Sequence, residues 1–213
     1  MWYIVAMKWD GLLSIIGKDP VFHSSLLRVG LINSVDLGRQ LSRWVKSGKL
    51  IQLRRSLYAL SEQYRKTTPH LFYVANRLKK GSYISLQSAL EFYGLIPEYV
   101  PTVMSVTTGR PETLSTPLGT FSFRHIKKDL FFGYEIVDFK DDQLVSIASP
   151  EKALLDLLYL MPGSDTIEYL HELRLQNLNT FDPTRLKNLF KQAKSRKLQR
   201  ALSLMELILK EEL

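Results

Sequence analysis

Between residues 34 and 60 the apolar residues change their period, and that change limits what the chain can fold into. Leu37, Leu41, Trp44 and Val45 fall at i, i+4, i+7 and i+8, which makes one face of a helix. Gly48 ends that pattern. Two short apolar runs follow, 50–53 and 57–60, separated by Arg54, Arg55 and Ser56. Runs this short, split by a turn, predict a β-hairpin with a basic tip. Upstream, Trp9, Leu12, Leu13 and Ile16 predict a first helix that stops at Gly17. A second short helix is expected over 22–29 with Gly30 as its left-handed stop, and Asn33 or Ser34 then caps the third. Three helices and a basic hairpin within about sixty residues are the order of a winged helix-turn-helix.

Charge is concentrated in the same stretch. Residues 1–61 carry nine Lys or Arg against three acids, an excess of six, whereas the rest of the chain contributes only two of the net +8. A basic module favours a polyanion. A recognition helix shows base edges the residues of its first turns, here Ser34, Arg39, Gln40 and Arg43. Arg pairs bidentately with guanine and Gln with adenine. Lys46, Arg54 and Arg55 stand where phosphates would be met, which adds affinity without sequence information. The competing explanation is a solvated helix face, common opposite any core stripe. Gly38 inside the third helix costs about 1 kcal/mol relative to Ala. Close approach of a backbone or a phosphate explains it, and so does simple tolerance.

The polar stretch 61–69 lacks apolar period and reads as a linker. Beyond it a helix is expected from His70 to Leu78, and another from Leu86 to Tyr93, capped by Ser85 and stopped by Gly94. Strands are expected over 103–107, 120–126, 132–137 and 144–148. In the second of these Phe121, Phe123 and His125 alternate with Ser122 and Arg124, which predicts one buried face. Ser149-Pro150-Glu151-Lys152 opens a helix to about Leu160, and capping accounts for the four residues; Asp182-Pro183 opens another by the same chemistry. The expected fold class is α+β: an N-terminal winged helix-turn-helix domain, 1–61, then a mixed α+β domain, 62–213, that ends in helices.

Several ordered stretches carry a family resemblance. They are Gly48-Lys49-Leu50, Arg54-Arg55-Ser56-Leu57-Tyr58, Tyr83-Ile84-Ser85-Leu86-Gln87-Ser88-Ala89-Leu90, Gly94-Leu95-Ile96-Pro97, Thr116-Pro117-Leu118-Gly119 and Ser149-Pro150-Glu151-Lys152-Ala153-Leu154-Leu155-Asp156. Taken together the chain resembles the AbiEi-like antitoxins and transcriptional regulators of AbiE-type abortive-infection systems. The resemblance implies an N-terminal domain that binds double-stranded operator DNA at inverted repeats and represses its own operon. It also implies a second domain that counteracts a cognate nucleotidyltransferase-like toxin, directly or indirectly, and no catalytic activity. Many members carry Gly where this chain has Ser56, at the turn of the wing.

Residues 185–200 form a second basic stretch with no acid. Lys187, Lys191, Lys194, Arg196, Lys197 and Arg200 interleave there with apolar residues at helical spacing. A packed helix with a solvated basic face accounts for it, as does a further contact with DNA or an acidic partner. The chain has no cysteine, so thiolate metal sites and cysteine nucleophiles are excluded. His23, His70, His125 and His171 stand in no metal-ligand spacing. No cofactor, metal or catalytic constellation is expected. The apolar start has neither a basic lead nor a cleavage site, and no apolar run is long enough to span a bilayer. A cytoplasmic protein is therefore expected, monomeric or weakly dimeric and paired on DNA. A regulator whose second domain senses a small ligand is the alternative to an antitoxin.

Overall fold

The structure is a computed structural model that describes residues 7–28 and 34–212; the side chains of Arg28, Ser34 and residues 210–212 fall outside that description. So do the expected stop at Gly30 and cap at Asn33. The architecture is mixed α+β, built around two sheets.

The first third contains α1 (Trp9–Ile16), β1 (Val21–His23), a 3-10 turn (Ser24–Arg28), α2 (Ser34–Lys46), β2 (Leu50–Arg54) and β3 (Leu57–Leu60). The helix expected over 22–29 is absent: its first residues are strand β1, and only 24–28 coil, as a 3-10 turn. β1 is strand because it completes a sheet in the order β1-β3-β2, with Val21 opposite Ala59 and Phe22 opposite Tyr58. The Phe22 and Tyr58 rings stack at 5.9 Å across that pair. β3 is the central strand and all four of its residues are buried. One face, with Phe22, Leu50, Tyr58 and Leu60, packs on Leu12, Ile16, Leu37, Leu41 and Trp44 of α1 and α2. The other face, with Val21, Leu53, Leu57 and Ala59, belongs to the core of the rest of the molecule.

The turn between β2 and β3 places Ser56 at φ 66°, the left-handed region that glycine enters cheaply. Serine thus takes up a backbone that glycine adopts more cheaply, and its carbonyl accepts the Ser24 N–H at 2.8 Å. The stretch 61–69 is not a loose linker. Tyr64 lies edge-on to Trp9 at 5.1 Å, and Thr67 is buried.

Beyond it come α3 (Leu71–Leu78), β4 (Ser82–Ile84), α4 (Leu86–Phe92), β5 (Thr102–Thr107), β6 (Glu112–Thr116), β7 (Gly119–His125), β8 (Tyr134–Asp138), β9 (Leu144–Ala148), α5 (Pro150–Leu160), α6 (Ile167–Glu172), α7 (Pro183–Gln192) and α8 (Arg196–Glu212). The six strands are ordered β6-β7-β5-β4-β9-β8, with β4 parallel to β9 through Ile84 and Ile147, and β5 parallel to β7. β4 and β6 are strands that the sequence reading does not contain. Phe121 and Phe123 are buried as expected, but His125 is exposed at the strand end, its Nδ1 3.0 Å from the Gly109 carbonyl. The face expected to continue to His125 therefore stops one pleat earlier, and Ile126 closes the core there.

α5 is buried around nearly its whole circumference because it lies between α4 and β9 on one side and α7 and α8 on the other. Ser149 caps it by accepting the Lys152 N–H, with Pro150 in the first turn. Capping does not account for the other two residues of that motif. Glu151 is buried, accepts the Asp182 N–H at 3.0 Å and lies 3.6 Å from Arg185, which fastens the start of α7 to the start of α5. Lys152 and Asp156, one turn apart, form an ion pair with both side chains fully buried. Tyr83 and Ser85 each donate to the second Asp156 oxygen at 2.8 Å. Ser85 therefore spends its hydroxyl on Asp156 and makes no side-chain cap at α4, contrary to expectation. Burial pushes the Lys152 ammonium down and the Asp156 carboxyl up, each opposed by the partner's charge. Burial first, then the Asp156 charge, pushes the Tyr83 phenol up, so it remains a donor. Gly133, at φ 73°, lets the chain pass over this lysine: a Cβ there would stand 3.1 Å from the Lys152 side chain.

Candidate nucleic-acid interface

α2 buries Leu37, Leu41 and Trp44. That fixes which residues it presents outward. Arg39, Ser42, Arg43 and Lys46 are exposed and fall at i, i+3, i+4 and i+7, one continuous stripe along the helix. Val35 and Gly38 extend it toward the N-terminus. A Cβ at Gly38 would meet nothing within 4 Å among the described residues, so no packing there requires glycine. Arg39 lies 3.5 Å from Asp36, a surface pair with the arginine 71% exposed, which leaves the guanidinium available. Gln40 is half-buried, one residue of rotation away from the stripe. Ser34 opens α2, but its side chain lies outside the described residues. Of the four expected base-reading residues, Arg39 and Arg43 share the exposed stripe and Gln40 lies at its margin. Val35 and Ser42 belong to the stripe and were missed. Continuing the helical period outward from the core stripe, and not collecting charged residues only, would have found them.

The three cations expected at phosphates separate in the structure. Lys46, Arg54 and Arg55 are all exposed, but their partners differ. Arg54 turns toward the second sheet: it donates to the Leu78 carbonyl at 2.7 Å and stands 3.9 Å from Glu112, which Lys79 also meets at 2.5 Å. A second set of contacts lies nearby. The Tyr73 hydroxyl donates to Asp19 at 2.9 Å, and Arg77 bridges Asp19 at 3.0 Å and the Val21 carbonyl at 2.9 Å. Burial, then the Asp19 charge, pushes the Tyr73 phenol up to about 12, so it donates throughout the physiological range. The helix-and-hairpin module is thus bolted to α3 and β6 by polar contacts as well as by the shared core.

The second basic stretch is largely engaged at home. Lys197 donates to the carbonyls of Met161 and Tyr159 at the C-terminal end of α5, where a cation is favoured by the helix dipole. Arg200 meets Asp165 at 2.5 Å, and Lys187 lies 3.7 Å from Glu206. Lys191, Lys194 and Arg196 are exposed. Among the described residues no group of three or more His, Asp or Glu stands ready to hold a metal ion, and no helix is long and apolar enough to cross a membrane. No protein-family model matches the chain, and no curated protein matches it either.

Proposed function

We propose that this protein is a DNA-binding transcriptional regulator that reads operator DNA with a winged helix, its recognition helix being α2 and its wing the β2–β3 hairpin. The observation that carries this reading is the exposed stripe of α2, where Arg39, Ser42, Arg43 and Lys46 are aligned beside a glycine that no packing among the described residues requires. An α-helix enters the major groove, and Arg39 and Arg43 are the residue type that recognises guanine bidentately. The basic excess of the first sixty-one residues, and the order helix, strand, turn, helix, hairpin, support the same reading. Phosphate contacts fall to Lys46, Arg54 and Arg55, of which Arg54 also meets the Leu78 carbonyl and Glu112. Two copies would occupy an inverted repeat. The biological role we propose is that of an AbiE-type antitoxin in the cytoplasm, which represses its own operon and counteracts a nucleotidyltransferase-like toxin. It rests on the resemblance of the ordered stretches from Gly48 to Asp156 to the AbiEi-like family.

A mobility-shift titration with the DNA upstream of the gene, against scrambled DNA at two salt concentrations, tests the DNA-binding reading. Selective binding that survives the higher salt is expected, and Arg43→Ala should weaken it by about 1–3 kcal/mol. Unchanged affinity in that variant removes α2 as the reading helix. Gly38→Ala separates the two accounts of the glycine. Thermal unfolding should show the variant more stable by about 1 kcal/mol, while a methyl group facing the DNA backbone should weaken operator binding. Equal or tighter binding would mean that the DNA does not approach α2 at Gly38.

A further inference from the structure

A cleft of about 1000 Å³ lies between the 66–72 segment, α4 and the turn joining β8 to β9. That volume suits a small organic ligand. Its walls are aromatic: Phe139 stands 4.5 Å from His70, 5.2 Å from Phe92 and 5.9 Å from Phe72, ring centre to ring centre. Tyr99, 80% exposed, stands at its opening. Phe92 is 43% exposed and lines the same cleft.

The polar groups of the cleft narrow the ligand further. Gln143 is buried, and both ends of its amide are engaged: the oxygen accepts the His70 N–H at 2.8 Å and the nitrogen donates to the Thr68 carbonyl at 3.0 Å. His70 Nδ1 accepts the Phe72 N–H, and burial pushes the imidazole down, which keeps it neutral near pH 7. The cations Lys66 and Lys140 are exposed at the rim, where water screens them. Glu91 is the half-buried ion of the lining. One of its oxygens accepts the Val100 N–H at 3.2 Å, and Oε1 makes no hydrogen bond among the described residues. Aromatic faces attract cations, and a half-buried carboxylate beside them supplies the matching charge. The rim is also built from strained backbone: Lys140, Asp141 and Asp142 are all left-handed, at φ 37°, 56° and 62°. Such segments persist where their surroundings hold them, and here Gln143 follows at once as the clamp on Thr68 and His70.

We propose that this cleft is a binding site for a small aromatic ammonium compound, its ring seated among Phe72, Phe92 and Phe139 and its charge on Glu91. The wall formed by 66–72 is the segment that leads from the helix-and-hairpin module into α3, so a ligand there sits at the join between the two parts of the molecule. The inference deepens the regulator reading above by giving it an effector class, but its test contains no DNA, so the two can fail separately.

The test is calorimetric titration of the full chain with three probes that share one ring and differ in charge: tryptamine, tryptophol and indole-3-acetate. Tryptamine should bind saturably, tryptophol about tenfold more weakly, and indole-3-acetate without saturation. Glu91→Gln keeps an acceptor for the Val100 N–H and should fold, as its unfolding curve will report. It should bring tryptamine down to the affinity of tryptophol and leave tryptophol unchanged. Phe92→Ala should weaken tryptamine and tryptophol alike, by about tenfold. The proposal is overturned by equal binding of the three probes, by a tryptamine preference that survives Glu91→Gln, by wild-type affinities in Phe92→Ala, or by no saturable heat from tryptamine up to about 10 mM.

Discussion

Asp156→Ala is expected to lower the stability of the folded chain by about 3–5 kcal/mol, because it leaves the Lys152 ammonium charged, buried and alone. The residues around the pair make the cost large. Both side chains are fully buried, and Tyr83 and Ser85 aim their hydroxyls at the same carboxylate, so the variant also strips two donors of their acceptor. The chain at Gly133 covers Lys152 closely: a Cβ added there would stand 3.1 Å from the lysine side chain. Urea unfolding should show the midpoint fall with the slope unchanged. The double replacement Lys152→Met with Asp156→Leu removes both charges at once and should recover most of the loss, since an apolar pair of similar volume needs no partner. A single variant within about 1 kcal/mol of the parent, the median worth of an exposed pair, would show that the lysine finds water or another anion when the aspartate is gone.

The second large effect is expected from cutting the chain after Ser61. The fragment 1–61 contains every element of the helix-and-hairpin module, yet it should not give a folded monomer. Its sheet has two apolar faces, and α1 and α2 cover only one of them. The cut exposes Val21, Leu53 and Leu57, each worth about 1.5–3 kcal/mol when fully buried. Their sum is comparable with the roughly 5–15 kcal/mol that holds a whole domain together. Size-exclusion chromatography and amide-proton dispersion of the fragment are the checks. Polar replacements on that face, Val21→Thr with Leu53→Gln and Leu57→Thr, should restore solubility to the fragment while damaging the full chain. A sharp, monomeric spectrum from the unmodified fragment would show that the face tolerates water.

The sequence was legible where the signal is local. α2 and α5 followed from helical period and cap chemistry, and Asp182 does cap α7 through the N–H groups of Thr184 and Arg185. Gly94, left-handed at φ 68°, does end α4. Short strands were not legible. β1 and β4 have three residues each, too few for a period, and are strands because β3 and β5 offer them edges. β6 reads Glu-Thr-Leu-Ser-Thr, mostly polar, as befits an edge strand. In the candidate site Arg39 and Arg43 were legible as outward-facing together with Gln40, which the structure leaves half-buried at the margin of the stripe. The capture of Arg54 was not, because it depends on a carbonyl twenty-four residues away. Lys152 and Asp156 stand at the spacing of an ordinary surface pair. Only the burial of α5 on all sides turns that pair into the polar centre of the core.

The parallel pairing of β4 with β9 also bears on how the chain is made. Ile84 takes its partner from Ile147, roughly sixty residues further on, about 3–12 s of synthesis at common translation rates. Until that strand emerges, β4 is an open edge, and α3, which packs on β4, β5 and β9, lacks part of its platform. β4 and α3 therefore wait, with apolar surface uncovered, for a strand made roughly sixty residues later. Closure of this sheet is timed by the synthesis of β9, and during that interval the nascent chain is the form most exposed to proteases and chaperones.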